Sequence, residues 1–381
     1  MLKPDSRSNS SKVMMKKLNL FILLFLISSC GGGGGVSEIP QNYSPIINLS
    51  SSLDEQLITK SISLNWTTQN VNSCSASGDW TGEKSLSGSA DVQILKVGEN
   101  TFTLNCNGDN GSISVSKNVI GYVVQRKIIQ QSIGGALQDR EFFIRYPLTP
   151  SDSSYPLVFF FHGAGGNGEG ELNRHQAVID LIDEGNFIGI FPSGYQNKWN
   201  VNNETAADDV DFFKSIINDI SSNTMFNLDK VYGVGISNGS GIVNKIGKET
   251  FIFKGIAPLI SQQTVDIGNI IPEGVLSVFQ VNGDSDNLVP VNGGMGVANT
   301  NFMSASGSAE NWALNFGCSM SPEEEILQWG SKTVNTFTFS GCLQNNEVKY
   351  FIVQDSGHTI QFDQDIDLFI QIWNFFKSRE N

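Results

Sequence analysis

The sequence has little charge, and its positive charge is scarcer still. Only 16% of its 381 residues are Asp, Glu, Lys or Arg, against roughly 25% in an average soluble protein. Lys and Arg number 24 against 38 Asp and Glu, a net charge of −14. No basic run or stripe occurs beyond the extreme N-terminus. That argues against nucleic acid as a partner, because phosphate binding needs clustered Lys and Arg. It argues equally against a polybasic membrane-surface mode. There are three histidines, five cysteines and no C-x-x-C, so no metal site is expected. Only one apolar run attracts notice, which excludes a polytopic membrane protein. What remains is a chain with 39% hydrophobic residues, able to bury a core. At ~100–200 residues per domain, the length suggests two domains or three.

The apolar run is Leu18 to Ile27, preceded by Lys16 and Lys17. It is too short for a bilayer span of about 20 residues and has the layout of a secretory signal over residues 1–29. Met14 or Met15 is an alternative start. Ile27 to Cys30 reads "ISSC", and five glycines, Gly31 to Gly35, follow. This resembles a bacterial lipoprotein signal. The resemblance implies a lipid on Cys30, contact with the membrane through that anchor only, and an outer-membrane or cell-surface location. Residues 30–43 read as a flexible tether. Four cysteines remain: Cys74, Cys106, Cys318 and Cys342. An even count in an exported chain suggests disulfides, with three connectivities open. Domain-local pairing, 74 with 106 and 318 with 342, is the natural choice.

Residues 44–123 read as all-β. Ile62, Leu64 and Trp66 alternate with polar residues, as do Phe102, Leu104 and Cys106. There is room for about seven short strands, which suits a β-sandwich. "SCSASGDWTG" with the later "TFTLNC" resembles the immunoglobulin-like modules of bacterial surface proteins, a resemblance that implies a fold more than an activity. Trp80 within it is either a ligand platform or a core aromatic. From residue 127 the pattern changes. "KIIQQSI" and "REFFIRYP" read as strands, followed by strands at 156–161, 187–191, 230–235, 275–281 and 348–353. Helical stretches lie near 208–222, 238–250 and 306–316, with a closing helix near 364–378. Strands apolar throughout and separated by helices imply a parallel sheet covered on both faces.

The chemistry gathers at strand ends. Gly235-Ile236-Ser237-Asn238-Gly239 is a G-x-S-x-G between a strand and a helix, where a tight turn would expose the Ser237 hydroxyl. Asp284 and Asp286 follow the strand at 275–281, and His358 follows the strand at 348–353. Ser, then acid, then His is a nucleophile–orienter–base order: His358 would take the Ser237 proton and an Asp would orient the imidazole. Spacing alone leaves the two Asp residues open. "FFFHGAGGNG" ends a strand at His162. Its glycines let backbone N–H groups approach a developing oxyanion, with Ala164 N–H and Asn238 N–H as the expected donors. Gly163, Gly165 and Gly168 also satisfy G-x-G-x-x-G, but the next strand ends in Pro192 rather than an acid, against a dinucleotide site. No cofactor is expected. His162 and Trp199 are candidate substrate-binding residues, with loop packing the alternative for Trp199. His175 falls in a polar amphipathic helix. Asp208 and Asp209 open a helix and fit dipole stabilisation there.

These segments together resemble the secreted polyhydroxybutyrate depolymerase-like and feruloyl or acetylxylan esterase-like serine esterases. The landmarks are "FFFHGAGGNG", "FPSGYQNKWN", "NLDKVYGVGISNGSG", "VNGDSDNLVPVNGG" and "DSGHTI". The family's acid motif resembles H-G-T-x-D-x-V-V-P, whose final Asp aligns with Asp286. Here Asn282 replaces the His, Asp284 replaces the Thr, and Ser240 departs from "SNGG". The resemblance also places a disulfide at Cys318 and Cys342. It implies an α/β-hydrolase fold behind the small immunoglobulin-like sandwich, with the esterase domain over 127–381. It implies an acyl-enzyme on Ser237, acting on feruloyl or acetyl polysaccharide esters or on polyhydroxyalkanoate-type polyesters. The rival expectations are a surface binding or adhesion protein with a degenerate hydrolase domain, and a peptidase on the same fold.

Overall fold

Alternating burial builds the first region of the structure. The computed structural model describes residues 43–149, 153–361 and 367–379. The expected signal segment, Cys30, nearly all of the tether and the first turn of the expected closing helix lie outside the described residues. Eight strands come first: β1 (Ile46–Ser51), β2 (Glu55–Leu57), β3 (Ser61–Gln69), β4 (Ser73–Gly78), β5 (Gly82–Lys84), β6 (Ser87–Gln93), β7 (Gly98–Gly108) and β8 (Gly111–Tyr122). They form two sheets, β1-β3-β6 and β2-β8-β7-β4-β5. Ile62, Leu64 and Trp66 of β3 and Phe102, Leu104 and Cys106 of β7 point inward into one apolar core, as the period of two requires. Cys74 and Cys106 are register partners on β4 and β7 and form a disulfide. Trp80 is buried against Trp66, and its indole N–H donates to the Thr103 carbonyl at 3.0 Å. It is a core aromatic, not a platform.

Val123 alone separates β8 from β9 (Val124–Ile133), which opens a ten-stranded sheet. In chain order follow β10 (Ala136–Arg145), β11 (Tyr155–Phe161), α1 (Gly168–Leu172), α2 (Gln176–Asp183), β12 (Ile188–Pro192), α3 (Asp209–Ile220), β13 (Phe226–Ile236), α4 (Asn238–Glu249), β14 (Gly255–Leu259), α5 (Val265–Gly268) and β15 (Ser277–Gly283). Then come a small ribbon, β16 (Gly294–Met295) and β17 (Asn301–Phe302), α6 (Ala305–Asn315), a hairpin, β18 (Glu323–Trp329) and β19 (Lys332–Phe339), β20 (Val348–Val353) and α7 (Leu368–Ser378). The sheet order is β18-β19-β20-β15-β14-β13-β11-β12-β10-β9. The six strands from β20 to β12 are parallel, with antiparallel strands at both edges.

The helices bury one stripe each. On one face of the sheet α3, α4 and α6 contribute Phe213, Ile216, Ile246 and Trp312. On the other α2 and α7 contribute Val178, Ile182, Ile372 and Trp373. The chain leaves β11 for β12 on one side, then crosses to β13 on the other. Strand order reverses there, and in open sheets of this type sites form at the carboxyl ends of such strands. β14 and the β18–β19 hairpin carry no sequence expectation. β14 is five residues long and contains Pro258, and β18 opens on three glutamates, Glu323 to Glu325, at an exposed edge. The second disulfide joins Cys318 to Cys342.

Candidate active site

The turn at the end of β13 tolerates glycine alone on either side. A Cβ on Gly235 would lie 2.1 Å from the Gly239 carbonyl oxygen, and one on Gly239 would lie 2.1 Å from that of Phe161. Between them Ser237 sits at φ 56°, ψ −116°, a left-handed conformation costly for a side-chain-bearing residue. It persists because the surroundings hold it. Ser237 N donates to the Leu259 carbonyl at 3.0 Å. Ser240 Oγ lies 2.7 Å from the carbonyls of both Gly235 and Leu259 and shares its proton between them. The departure from "SNGG" thus ties the turn to β14.

Ser237 faces His358. His358 Nε2 lies 2.8 Å from Ser237 Oγ, and His358 Nδ1 lies 2.6 Å from Asp286 Oδ2. An ionised carboxylate only accepts, so Nδ1 carries the proton and Nε2 offers its lone pair to the serine hydroxyl. The other oxygen, Asp286 Oδ1, accepts from the amides of Leu288 at 2.8 Å and Val289 at 2.9 Å. Burial pushes this carboxyl up, but the hydrogen bonds from His358, Val289 and Leu288 outweigh it and hold it below the usual range. Asp284 is exposed and accepts from the Ser285 hydroxyl at 2.9 Å. The backbone bonds that cap this turn belong to Asp286 and not to Asp284. The two loops are themselves joined: Asp284 N donates to the Val353 carbonyl and Ser285 N to that of Ser356.

Gly163, Ala164 and Asn238 line the same cleft as Ser237 and His358. What holds them differs from the sequence expectation. His162 and Trp199 are each 1% exposed and do not line the cleft. His162 Nε2 accepts from Gly194 N at 2.9 Å, so Nδ1 carries the proton and donates to the Gly163 carbonyl at 2.7 Å. Burial lowers the pKa of this imidazole, in keeping with a neutral ring. The Trp199 indole N–H donates to the His162 carbonyl at 2.8 Å. Trp199 N donates to Asn238 Oδ1 at 2.7 Å, and Asn238 Nδ2 returns a bond to the Trp199 carbonyl at 3.1 Å. Both candidate substrate ligands therefore lie beneath the loop and lock it. A ring with one polar end buries its body once that end finds a partner.

Deeper still, Arg140 of β10 pairs with Asp209 at 2.6 Å, both fully buried. Asp209 Oδ2 accepts from Asn200 N at 2.7 Å, and Arg140 donates to Gln131 and to the Ser193 carbonyl. Burial raises the Asp209 pKa and lowers that of Arg140, while their pairing opposes both shifts. Asp208 caps α3 by accepting from Asp211 N. His175 stands just before α2 instead of within it, makes no side-chain capping bond, and packs its ring against Phe369.

The cleft has a volume of about 530 Å³. Val201, Ile260, Leu288, Val289, Val297 and Phe302 give it apolar walls. Among the described residues no group of three or more His, Cys, Asp or Glu could hold a metal ion. One feature had no signal in the sequence beyond the substitution at Asn282. Gln262, Gln280, Asn282 and Ser308 form a fully buried, hydrogen-bonded polar chain beside the acid loop.

No protein-family profile matches the chain. Feruloyl esterase B of Piromyces equi is 25% identical over 233 residues, covering 58% of this chain and 42% of that protein. Putative esterase NocK of Nocardia uniformis subsp. tsuyamanensis is 26% identical over 145 residues, covering 36% of this chain and 42% of its own. The chain thus spans about two fifths of the length of these two relatives. Probable feruloyl esterase C of Aspergillus clavatus is 26% identical over 233 residues, and 76% of it is covered. Among solved structures, the acetyl xylan esterase from Aspergillus awamori aligns with a TM-score of 0.48 at 13% identity, over 66% of this chain and 99% of that one. The three relatives carry esterase names, and this chain has a ten-stranded mixed sheet with helices on both faces.

Proposed function

We propose that the chain is a serine carboxylic-ester hydrolase working through an acyl-enzyme on Ser237. One observation carries the reading: the hydrogen-bonded line Asp286–His358–Ser237, whose Ser237 and His358 line the cleft. Ser237 Oγ attacks the ester carbonyl carbon while its proton passes to His358 Nε2. Asp286 stabilises the resulting imidazolium without taking its proton. The N–H groups of Ala164 and Asn238 receive the developing oxyanion. As the C–O bond breaks, His358 returns the proton to the departing alcohol. Water then enters, gives a proton to His358 and attacks the acyl carbon. Collapse frees the carboxylic acid and restores the Ser237 hydroxyl.

Feruloyl or acetyl esters of polysaccharides and polyhydroxyalkanoate-type polyesters are the proposed substrates, the first in line with the feruloyl esterase relatives. Two disulfides fit an exported chain. Residues 44–123 would act as an immunoglobulin-like spacer between a lipid anchor on Cys30 and the esterase domain at 127–381. Moving the mature chain to the soluble fraction by Cys30→Ser checks the anchor; membrane retention would overturn it.

The test of activity is hydrolysis of a p-nitrophenyl acyl ester. Ser237→Ala is expected to lower turnover by ~10⁴-fold or more, with the melting midpoint kept. Undiminished turnover in a folded Ser237→Ala protein would sink the reading. Cleavage of peptide anilides but not of esters would favour a peptidase.

A further inference from the structure

We infer that Gln262 is a positioning residue that suspends the apolar wall of the cleft and thereby sets how long an acyl chain the site accepts. This rests on ester hydrolysis at Ser237. Gln262 lies just beyond β14 and is fully buried. Its amide nitrogen donates to the carbonyls of Pro290 and Met303, each at 2.9 Å. Its amide oxygen accepts from Asn282 Nδ2 at 2.8 Å. With two carbonyls on one side and an N–H on the other, the amide has a single workable orientation.

The two carbonyls bracket one segment. Between Pro290 and Met303 lie the β16–β17 ribbon and the cleft-lining residues Val297, Ala298, Thr300 and Phe302. Leu288 and Val289, just before Pro290, line the cleft as well. The segment holds itself together: Val297 N donates to the Leu288 carbonyl at 2.7 Å, and Gly296 N to that of Thr300 at 2.9 Å. Gln262 is its buried side-chain attachment beside β14; backbone attachments add Met303 N to the Gln263 carbonyl, an antiparallel bridge between Phe302 and Thr264, and Ala305 N to the Val291 carbonyl.

The network behind Gln262 is continuous. Asn282 Oδ1 accepts from Gln280 Nε2 at 3.0 Å, and Gln280 Oε1 accepts from the Ser308 hydroxyl at 2.8 Å. Gln280 also donates to the Ala305 carbonyl. Asn282 is thus the residue that couples β15 to this support. A buried network with its members satisfied is rigid, and losing one member leaves its partners unpaired. Asp286 stands apart from it, held by His358 and by two local amides. Leu288 and Val289, which supply those two amides, precede Pro290 and are held by Asp286 itself; loss of Gln262 therefore loosens the wall between Pro290 and Met303 and spares the Asp286–His358–Ser237 line.

The consequence is a dependence on acyl length. A methylene packed on an ordered apolar wall contributes up to about fourfold in kcat/KM; against a mobile wall it contributes less. On this inference an acetyl group, with one methyl beyond its carbonyl, gains least from the wall. The experiment measures kcat and KM for p-nitrophenyl acetate, butyrate and hexanoate in wild type and Gln262→Leu, scaled to the sites labelled by a fluorophosphonate. We expect acetate turnover within about threefold of wild type, and hexanoate kcat/KM lowered about tenfold, mainly through KM, on the same per-methylene scale. Gln262→Asn keeps the amide but not its reach; it should show the same flattened length dependence and serves where Gln262→Leu does not fold. An equal fall for all three esters, or an unchanged length dependence, overturns the inference alone. Failure of wild type to label or to hydrolyse any ester overturns the esterase reading and this inference with it.

Discussion

The two-sheet region and the ten-stranded region bury different things. The core of the first is Ile62, Leu64, Trp66, Phe102, Leu104 and Val119, stapled by Cys74–Cys106. Its buried polar side chain, Asn100, serves a local turn by donating to the carbonyls of Lys96 and Gly98. The second region buries Arg140, Asp209, Lys248, Gln262, Gln280 and Asn282. Lys248 illustrates the cost: burial pulls its pKa down to about 8, with Asn311 and the face of Trp312 as its partners. Alternating apolar residues suffice to close two sheets. Holding several loops at set distances around Ser237 takes directional bonds, and those bonds bring polar groups inside.

This contrast can be broken at its strongest point first. Asp286→Asn should lower ester turnover by ~10⁴-fold, the scale seen when the orienting carboxylate of a triad loses its charge. Asp284→Asn should stay within about threefold, because Asp284 is exposed and off the line, where a change is usually within ±0.5 kcal/mol. Steady-state kinetics on both variants decide the matter, and the reverse ranking would give the acid role to Asp284.

A change in the first region should act on stability alone. Replacing Cys74 and Cys106 together with alanine opens a link across 32 residues and should cost about 3.7 kcal/mol on the loop-entropy account. Denaturant titration reads the loss, while kcat per folded molecule stays at the wild-type value. A parallel fall in kcat would show that the two regions share the chemistry.

The smallest expected effect sharpens the comparison inside the second region. Trp199→Phe keeps the ring but removes the indole N–H from the His162 carbonyl. A buried acceptor left unpaired costs about 1–3 kcal/mol. As this carbonyl adjoins the Gly163–Ala164 loop, part of that cost should fall on kcat, with KM held. A melting shift with no change in kcat would make Trp199 a packing residue.

The legible parts of the site are those set by neighbours in the chain. Gly235 and Gly239 announce a turn that admits only glycine, so Ser237 stands out by its immediate neighbours alone. His358 follows from its place after an apolar strand. Residues whose side depends on distant packing were not legible. His162 and Trp199 have the chemistry of cleft residues and lie beneath the loop, because Gly194 and Asn238, far along the chain, supply their partners. Asp284 and Asp286 lie two apart, so an extended chain would aim both alike. The turn capped by Asp286 separates them. Gln262 carried no signal, since its partners at 282, 290 and 303 share no local pattern with it.

By itself the sequence determined the two kinds of architecture, the elbow, and the order of Ser, acid and His, because periodicity and steric limits at glycine are local properties. Spacing left both carboxylates open and only the motif resemblance pointed to Asp286; the tertiary structure brings Asp286 to His358, and it alone decided which aromatics face the cleft and what the polar side chains of β15 and its surroundings hold. Each of those turns on whether a buried donor meets an acceptor brought from elsewhere in the chain, and only the folded sheet brings them together.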